Sequence, residues 1–270
     1  MAGQGIQNII VLSELAFTCR DARYPILMSN WVVGCGPSGR VDRAFSLATK
    51  QVARFTVKQE TVGMGFFPFM GSHGRLSLQK QKLEKSKRIL ASMIAPPISD
   101  QDRVAYLGKE FVALRQAGQT YRQAAQPRAW YPPALFDSGV AWVENDGQRG
   151  EDIWMWKHEH SPKRIAGGKM PQRHVVGSGP YVAWVEDQRI VIFDSRTEEQ
   201  DAIEAQVVDR ISLTDKTVCW SQWNQRDIDV YCSDGFALNR PGHQVWPMRQ
   251  GKWLLFRDLG RKTPILMEIP

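Results

Sequence analysis

Short apolar runs separated by polar turns fill most of the chain, and several share one pattern. Val104-Ala105-Tyr106, Val140-Ala141-Trp142, Val182-Ala183-Trp184, Val218-Cys219-Trp220 and Leu254-Leu255-Phe256 each lead into a polar loop and a second apolar run. Each pair predicts a β-hairpin, because apolar runs of this length bounded by Gly, Asn, Asp and Pro suit strands rather than helices. The fullest copy is Gly139 to Lys157: a strand over Val140–Glu144, a turn carrying Asn145, Asp146, Gly147 and Gly150, and a strand over Ile153–Lys157. Leu15-Ala16-Phe17 followed by Pro25-Ile26-Leu27-Met28 reads as an earlier copy, since FTCRDARYPILM resembles LFRDLGRKTPILM near residue 260.

From Ala105 onward the hairpins recur every 35 to 42 residues. A β-repeat of that period marks the blade of a β-propeller. A short strand and a turn precede each hairpin, as in Val175-Val176-Gly177 before Ser178-Gly179-Pro180, and a polar strand such as Lys163-Arg164-Ile165 can follow, which makes four strands. The last copy ends one strand short, so Gly5 to Leu12 is expected to supply the missing strand and join the first and last blades. The interval of 89 residues from Ala16 to Ala105 has room for two blades, yet Gln51 to Ile94 carries no clear copy. The expected fold is therefore all-β, a propeller of six or seven four-stranded blades forming one domain over residues 1–270, with 51–94 an irregular blade or an insertion. Leu76 to Ile94 also admits a polar helix.

Charge and cysteines add a compartment and exclude some partners. Residues 1–135 hold 18 Lys and Arg against 8 Asp and Glu, densest over Gln79 to Arg88. No aromatic residues interleave with that run as base-stacking platforms would require, so nucleic acid is not an expected partner. No apolar stretch reaches the roughly 20 residues that cross a bilayer. The four cysteines fall as two local pairs, Cys19 with Cys35 and Cys219 with Cys232, without metal-site spacing. Cys219 and Cys232 stand on the two strands of one hairpin, within reach of a cross-strand disulfide. Two such bonds point to the periplasm or the extracellular space.

The turn, then VAWVE or VCWSQ, then a polar loop and EDIWMW (Glu151 to Trp156) or RDIDVY (Arg226 to Tyr231), resembles the repeats of TolB-like (WD40-like) bacterial propellers. The likeness covers Leu135 to Ile269, and less fully Asp100 to Leu114 and Asn8 to Cys35. It implies a protein-interaction scaffold whose partners are chosen by loops. On such a disc the loops between second and third strands share a face with the links between blades. The expected contact residues are Arg20, Arg23, Glu144, Asn145, Asp187, Trp223, Asn224 and Arg257. Trp142, Trp184 and Trp220 share one repeat position and are expected in the core, whereas Trp223 falls in a polar loop beside amides.

Catalytic signals are weak. His158 and His160 flank Glu159 in a spacing that would place both rings on one side of a strand, but no third metal ligand is near. Asp152 and Asp227 are expected to accept hydrogen bonds from turn amides rather than to ring a cation. The reading is a non-catalytic protein binder with no cofactor and no metal. The alternatives are a glycan-binding lectin, which needs aromatic-plus-amide sites, or a propeller glycosidase or lyase, which needs acidic residues meeting in the channel.

Overall fold

The computed structural model describes residues 8–12, 26–28, 31–35, 41–54, 75–77, 82–84, 95, 98–100, 103–117, 119–129, 131–145, 150–168, 170–261 and 264–269. They divide into two compact units, the first made from residues 1–56 and 206–270 and the second from 57–205. The chain enters the first unit with β1 (Asn8–Val11), β2 (Ile26–Met28), β3 (Trp31–Cys35), β4 (Val41–Ser46) and β5 (Val52–Arg54). The second unit holds a hairpin of β6 (Arg75–Ser77) and β7 (Lys82–Glu84), then β8 (Ile98–Asp100), β9 (Arg103–Leu107), β10 (Phe111–Gln116) and β11 (Gln119–Ala124). It continues through β12 (Ala134–Phe136), β13 (Gly139–Asn145), β14 (Glu151–Lys157), β15 (Lys163–Ala166), β16 (Gln172–Ser178), β17 (Tyr181–Glu186), β18 (Arg189–Asp194) and β19 (Gln200–Glu204). Back in the first unit come β20 (Val207–Thr214), β21 (Thr217–Asn224), β22 (Asp227–Cys232), β23 (Ala237–Leu238), β24 (Gln244–Gln250), β25 (Trp253–Asp258) and β26 (Ile265–Glu268).

Among the described residues these strands form six four-stranded antiparallel sheets, blades of a β-propeller, together with the two-stranded β6–β7 pair. Five sheets are simple meanders: β2–β5, β8–β11, β12–β15, β16–β19 and β20–β23. The sixth runs β24, β25, β26 and then β1, with Asn8 opposite Glu268 and Val11 opposite Ile265. The strand missing from the last repeat is thus supplied by the N-terminal segment, as expected.

Burial explains why second strands read as unbroken apolar runs. In β13, Val140 and Trp142 pack with Ala105, Leu107 and Leu114 of the preceding sheet. The alternate residues Ala141 and Val143 pack with Val182 and Trp184 of the following sheet. In the first unit, Leu254 and Phe256 of β25 join Val230 and Leu238, while Trp253 and Leu255 join Val32, Phe45 and Leu47. With both faces covered, period-two alternation disappears. Last strands sit at the outside: the side chains of β19 are exposed except Ile203. First strands neighbour one another, β8, β12 and β16 in the second unit and β20, β24 and β2 in the first. Gly139 is required where β12 turns into β13, since a Cβ there would lie 2.0 Å from the Trp156 carbonyl oxygen.

Two expectations change. The structure pairs Ile26–Met28 with Trp31–Cys35, making it the first strand of its sheet rather than the third; Leu15-Ala16-Phe17 lies outside the described residues. In the turn-closing pairs of the first two strands, the residue two places on is Val33, Ala105, Ala141, Ala183, Cys219 or Leu255. Val33 precedes Ala105 by 72 residues, twice the spacing from Ala105 to Ala141. Secondly, the helix expected over Leu76 to Ile94 is replaced, where described, by the β6–β7 hairpin, in which Leu76 stands opposite Leu83.

Candidate functional site

In each complete repeat the loop between second and third strands lies at the end where the first strand begins. The register places Gln172 opposite Glu186, Val207 opposite Gln222 and Gln244 opposite Asp258. This end carries six of the expected contact residues; Arg20 and Arg23 lie outside the described residues.

In the second unit, Glu144 uses both carboxylate oxygens internally. Oε1 accepts from the Gln126 backbone N–H at 2.9 Å and Oε2 from the Trp142 indole N–H at 2.9 Å. Gln222 does the same in the first unit, its Oε1 accepting from the Gln206 N–H at 3.1 Å and the Trp220 indole at 3.2 Å. In these two copies the residue two places after the tryptophan satisfies a core indole and fastens the incoming link, whereas in Trp184-Val185-Glu186 the buried indole nitrogen has no partner among the described residues and Glu186 accepts from Gln172 and Arg189 instead. Trp142 and Trp184 are fully buried and Trp220 nearly so, as expected of core residues. Asn145 is exposed at the end of β13. Asp187 is exposed in the two-residue turn between β17 and β18, where φ of 51° favours Asp over branched residues.

In the first unit, Trp223 is 52% exposed and its ring meets the edge of His243 at 5.5 Å. His243 is held at ring and backbone, because its ring Nδ1 accepts from the Ile228 backbone N–H at 3.2 Å and its main-chain carbonyl accepts from the Leu259 N–H at 2.9 Å. Leu259 is itself 45% exposed. Asn224 donates through Nδ2 to buried Asp229 at 2.8 Å. Asp227 accepts from the Gly242 N–H at 3.2 Å, an amide of the link to the next sheet rather than of its own turn. Asp152 pairs with the Arg164 guanidinium at 3.2 Å. Arg257 places its guanidinium carbon 5.0 Å from the centre of the Trp246 ring, and Arg210 places its own 5.8 Å from the same ring.

Trp246 belongs to a feature that sequence reasoning missed. The first strands β16, β20 and β24 each break register near their start, between Arg173 and Val176, Val207 and Ile211, and Val245 and Met248. The breaks in β16 and β24 each hold one residue more than the facing strand and the break in β20 holds two, irregularities of the β-bulge kind that re-aim side chains. In β16 and β24 the same place is left-handed, His174 at φ 56° and Trp246 at φ 58°. A bulky residue there costs about 1–3 kcal/mol, strain that clusters at functional sites. The available signal was Gln172-Arg173-His174 against Gln244-Val245-Trp246, each opened by a buried glutamine.

Electrostatics differ between the bulges. Burial, reinforced by the Arg173 charge, lowers the His174 pKa to about 4, so its ring is neutral at pH 7; the Tyr131 ring lies 6.2 Å away. Burial raises Asp209 to about 6, with Arg210 Nε 3.8 Å from its carboxylate. His158 and His160 do not share a strand, since β14 ends at Lys157 and Glu159 turns the chain at φ 66°. The His158 ring instead abuts Tyr121 at 3.9 Å, and His160 Nδ1 lies 2.9 Å from the His158 carbonyl oxygen. Among the described residues no three His, Cys, Asp or Glu side chains gather as a metal site.

Cys219 and Cys232 stand directly opposite each other on β21 and β22 and form a disulfide, as their spacing suggested. Cys19 lies outside the described residues, so the expected bond to Cys35 is not described. No helix among the described residues is long and apolar enough to cross a membrane.

No family model and no curated protein sequence matches the chain. Solved structures do. An oligogalacturonate lyase from Vibrio parahaemolyticus is similar with a TM-score of 0.64 at 11% identity, over 95% of this chain and 90% of that one. A catalytically inactive virginiamycin B lyase from Staphylococcus aureus gives 0.60 at 9% identity, over 97% and 99%. The β-propeller domain of the Trilobed protease from Pyrococcus furiosus gives 0.58 at 9% identity, over 94% and 93%. At these identities the likeness is one of fold, and the chain shares the β-propeller fold with all three.

Proposed function

We propose that this chain is a TolB-like, non-catalytic propeller scaffold of the periplasm or extracellular space that binds a protein partner through the loops at one end of its sheets. The contact set is Arg20, Arg23, Glu144, Asn145, Asp187, Trp223, Asn224 and Arg257, on one propeller domain spanning residues 1–270 with 51–94 an irregular blade or an insertion. The observation that carries the reading is Trp223: half-exposed, yet held against His243, whose ring accepts one hydrogen bond and whose backbone carbonyl accepts another. Rigid, exposed tryptophans are typical anchors of protein interfaces. The lectin alternative needs an available amide beside the ring, and the Asn224 NH2 group is already directed at Asp229.

A photo-crosslinking side chain installed at Trp223, and separately at Lys216 in the turn at the opposite end of β21, tests the face in the producing cell. Discrete protein adducts from position 223 and none from 216 are expected; the reverse assigns binding to the other end. Non-reducing peptide mapping should recover Cys219 linked to Cys232. Finding both as thiols in the native protein would remove the argument for export.

A further inference from the structure

Trp142, Trp184 and Trp220 occupy one position of the repeat, yet only two of the three indoles are satisfied in the same way. Glu144 and Gln222 each join an indole N–H to a link amide, a staple between strand and link. That amide belongs to the residue before the one facing the staple, Gln126 before Pro127 and Gln206 before Val207. In the third copy Gln172 faces Glu186, and the residue before it is Pro171, which has no N–H to give. Glu186 turns elsewhere. Its Oε1 accepts from Gln172 Nε2 at 3.3 Å, and its Oε2 accepts from Arg189 Nε and Nη2 at 3.1 and 2.7 Å. Two polar groups are left over, the Trp184 indole N–H, a donor, and the Gln172 Oε1, an acceptor. Both residues are fully buried, and neither atom has a hydrogen-bond partner among the described residues.

The two lie on the same side of one sheet. Trp184 and Glu186 stand two apart on β17, and Gln172 is paired with Glu186 across the ladder. Trp184 packs there on Ala141, Val143 and Ile153 of the preceding sheet. A buried donor or acceptor without a partner carries the full cost of its desolvation, so native interiors fill such gaps. What fills this one must both accept from an indole and donate to an amide oxygen, which excludes a metal cation, since the N–H repels it. It must also be small. Glu144 sets its Oε2 2.9 Å from the Trp142 indole, whereas Glu186 commits the matching oxygen to Arg189, which releases the space of one oxygen atom.

We infer that the junction between sheets β12–β15 and β16–β19 binds a single buried water, which accepts from the Trp184 indole N–H and donates to Gln172 Oε1 and Glu186 Oε1. Three bonds are what a buried water commonly makes, and the water does for Trp184 what a side-chain oxygen does for Trp142 and Trp220. The site lies wholly within the second unit and stands whether or not the loops bind a partner.

The test is magnetisation transfer between water and indole protons in the full chain labelled with indole-15N tryptophan, each signal assigned by its Trp→Phe variant. The Trp184 indole should show a direct cross-peak to water, told from proton exchange by its opposite sign in the rotating frame. Trp142 and Trp220 should show none. Arg189→Met, at an exposed position, frees the Glu186 carboxylate to turn back on the indole; the water cross-peak should vanish and the Trp184 proton shift should move toward those of Trp142 and Trp220. Gln172→Met, of similar length but without the carbonyl, should also abolish the cross-peak. Unchanged Trp142 and Trp220 signals show that each variant remains folded. A wild-type Trp184 indole without a water cross-peak overturns the site. Equal cross-peaks at all three indoles, or a Trp184 cross-peak that survives both variants, overturn the assignment of these residues as its holders.

Discussion

The bulges at His174 and Trp246 share a backbone and differ in almost everything else. Both sit two residues after a buried glutamine, both are left-handed, and both open the first strand of a four-stranded sheet. In the second unit the position holds a neutral imidazole beside a phenol; in the first it holds an indole with two guanidiniums. A repeat therefore copies a site of strain, and the side chain placed there decides its chemistry. This is why proteins named as lyases and a protease domain can share the fold without telling what this chain does.

Acid titration should separate the bulges most sharply. The folded-state pKa of His174 is depressed to about 4, below its ordinary 6.5, so the unfolded chain takes the proton first. Its contribution is complete above about pH 6.5 and falls as pH drops toward 4, by roughly 3 kcal/mol. His174→Asn, which keeps a residue tolerant of positive φ, should lose that part of the acid dependence of the urea midpoint. If the variant and wild type titrate in parallel, the imidazole is not set apart as described.

Next in size are the staples, which supply the background of likeness. Glu144→Ala and Gln222→Ala each orphan an indole N–H and a backbone N–H, and each should cost roughly 1–3 kcal/mol by denaturant unfolding. Equal costs would show that the framework repeats across units while the bulge chemistry does not. Asp209→Asn should act with the opposite sign to His174 and more weakly, since the carboxyl is only half-buried. Its folded-state pKa is raised to about 6 from 3.8, so its contribution is present below about 3.8 and lost as pH rises through 6. The asparagine variant should therefore gain on wild type between pH 4 and pH 7. The smallest change is expected from Glu144→Gln, within about 0.5 kcal/mol, because Gln222 already performs the same task in another blade.

What could be read from the chain follows from what repeats. Second strands such as Val140 to Val143 were legible because burial on both faces demands unbroken apolar residues. The Cys219–Cys232 pairing followed from hairpin register, and the N-terminal closing strand from a count of strands in the last repeat. The first blade was misphased because Ile26-Leu27-Met28 looks like a third strand, whereas the glycine-containing run Trp31 to Cys35, the true second strand, has little of the Val-Ala-Trp pattern. The bulge was invisible because alternation locates strands and says nothing about a single extra residue. Glu144 read as a loop carboxylate; that one of its oxygens accepts from the backbone of Gln126, 18 positions away, no local pattern shows.

The pairing of β1 with β26 has a consequence for how the molecule is made. Asn8 must wait for Glu268, and closing a loop of that length costs about 5 kcal/mol of chain entropy in the simplest polymer estimate. During synthesis β1 is made long before β26, so until the sixth sheet closes the nascent chain carries an unpaired strand whose backbone is available to the wrong edge. Seating that strand is expected to be the slow, late event of folding, and the stage at which a chaperone or a faulty neighbour competes for the chain.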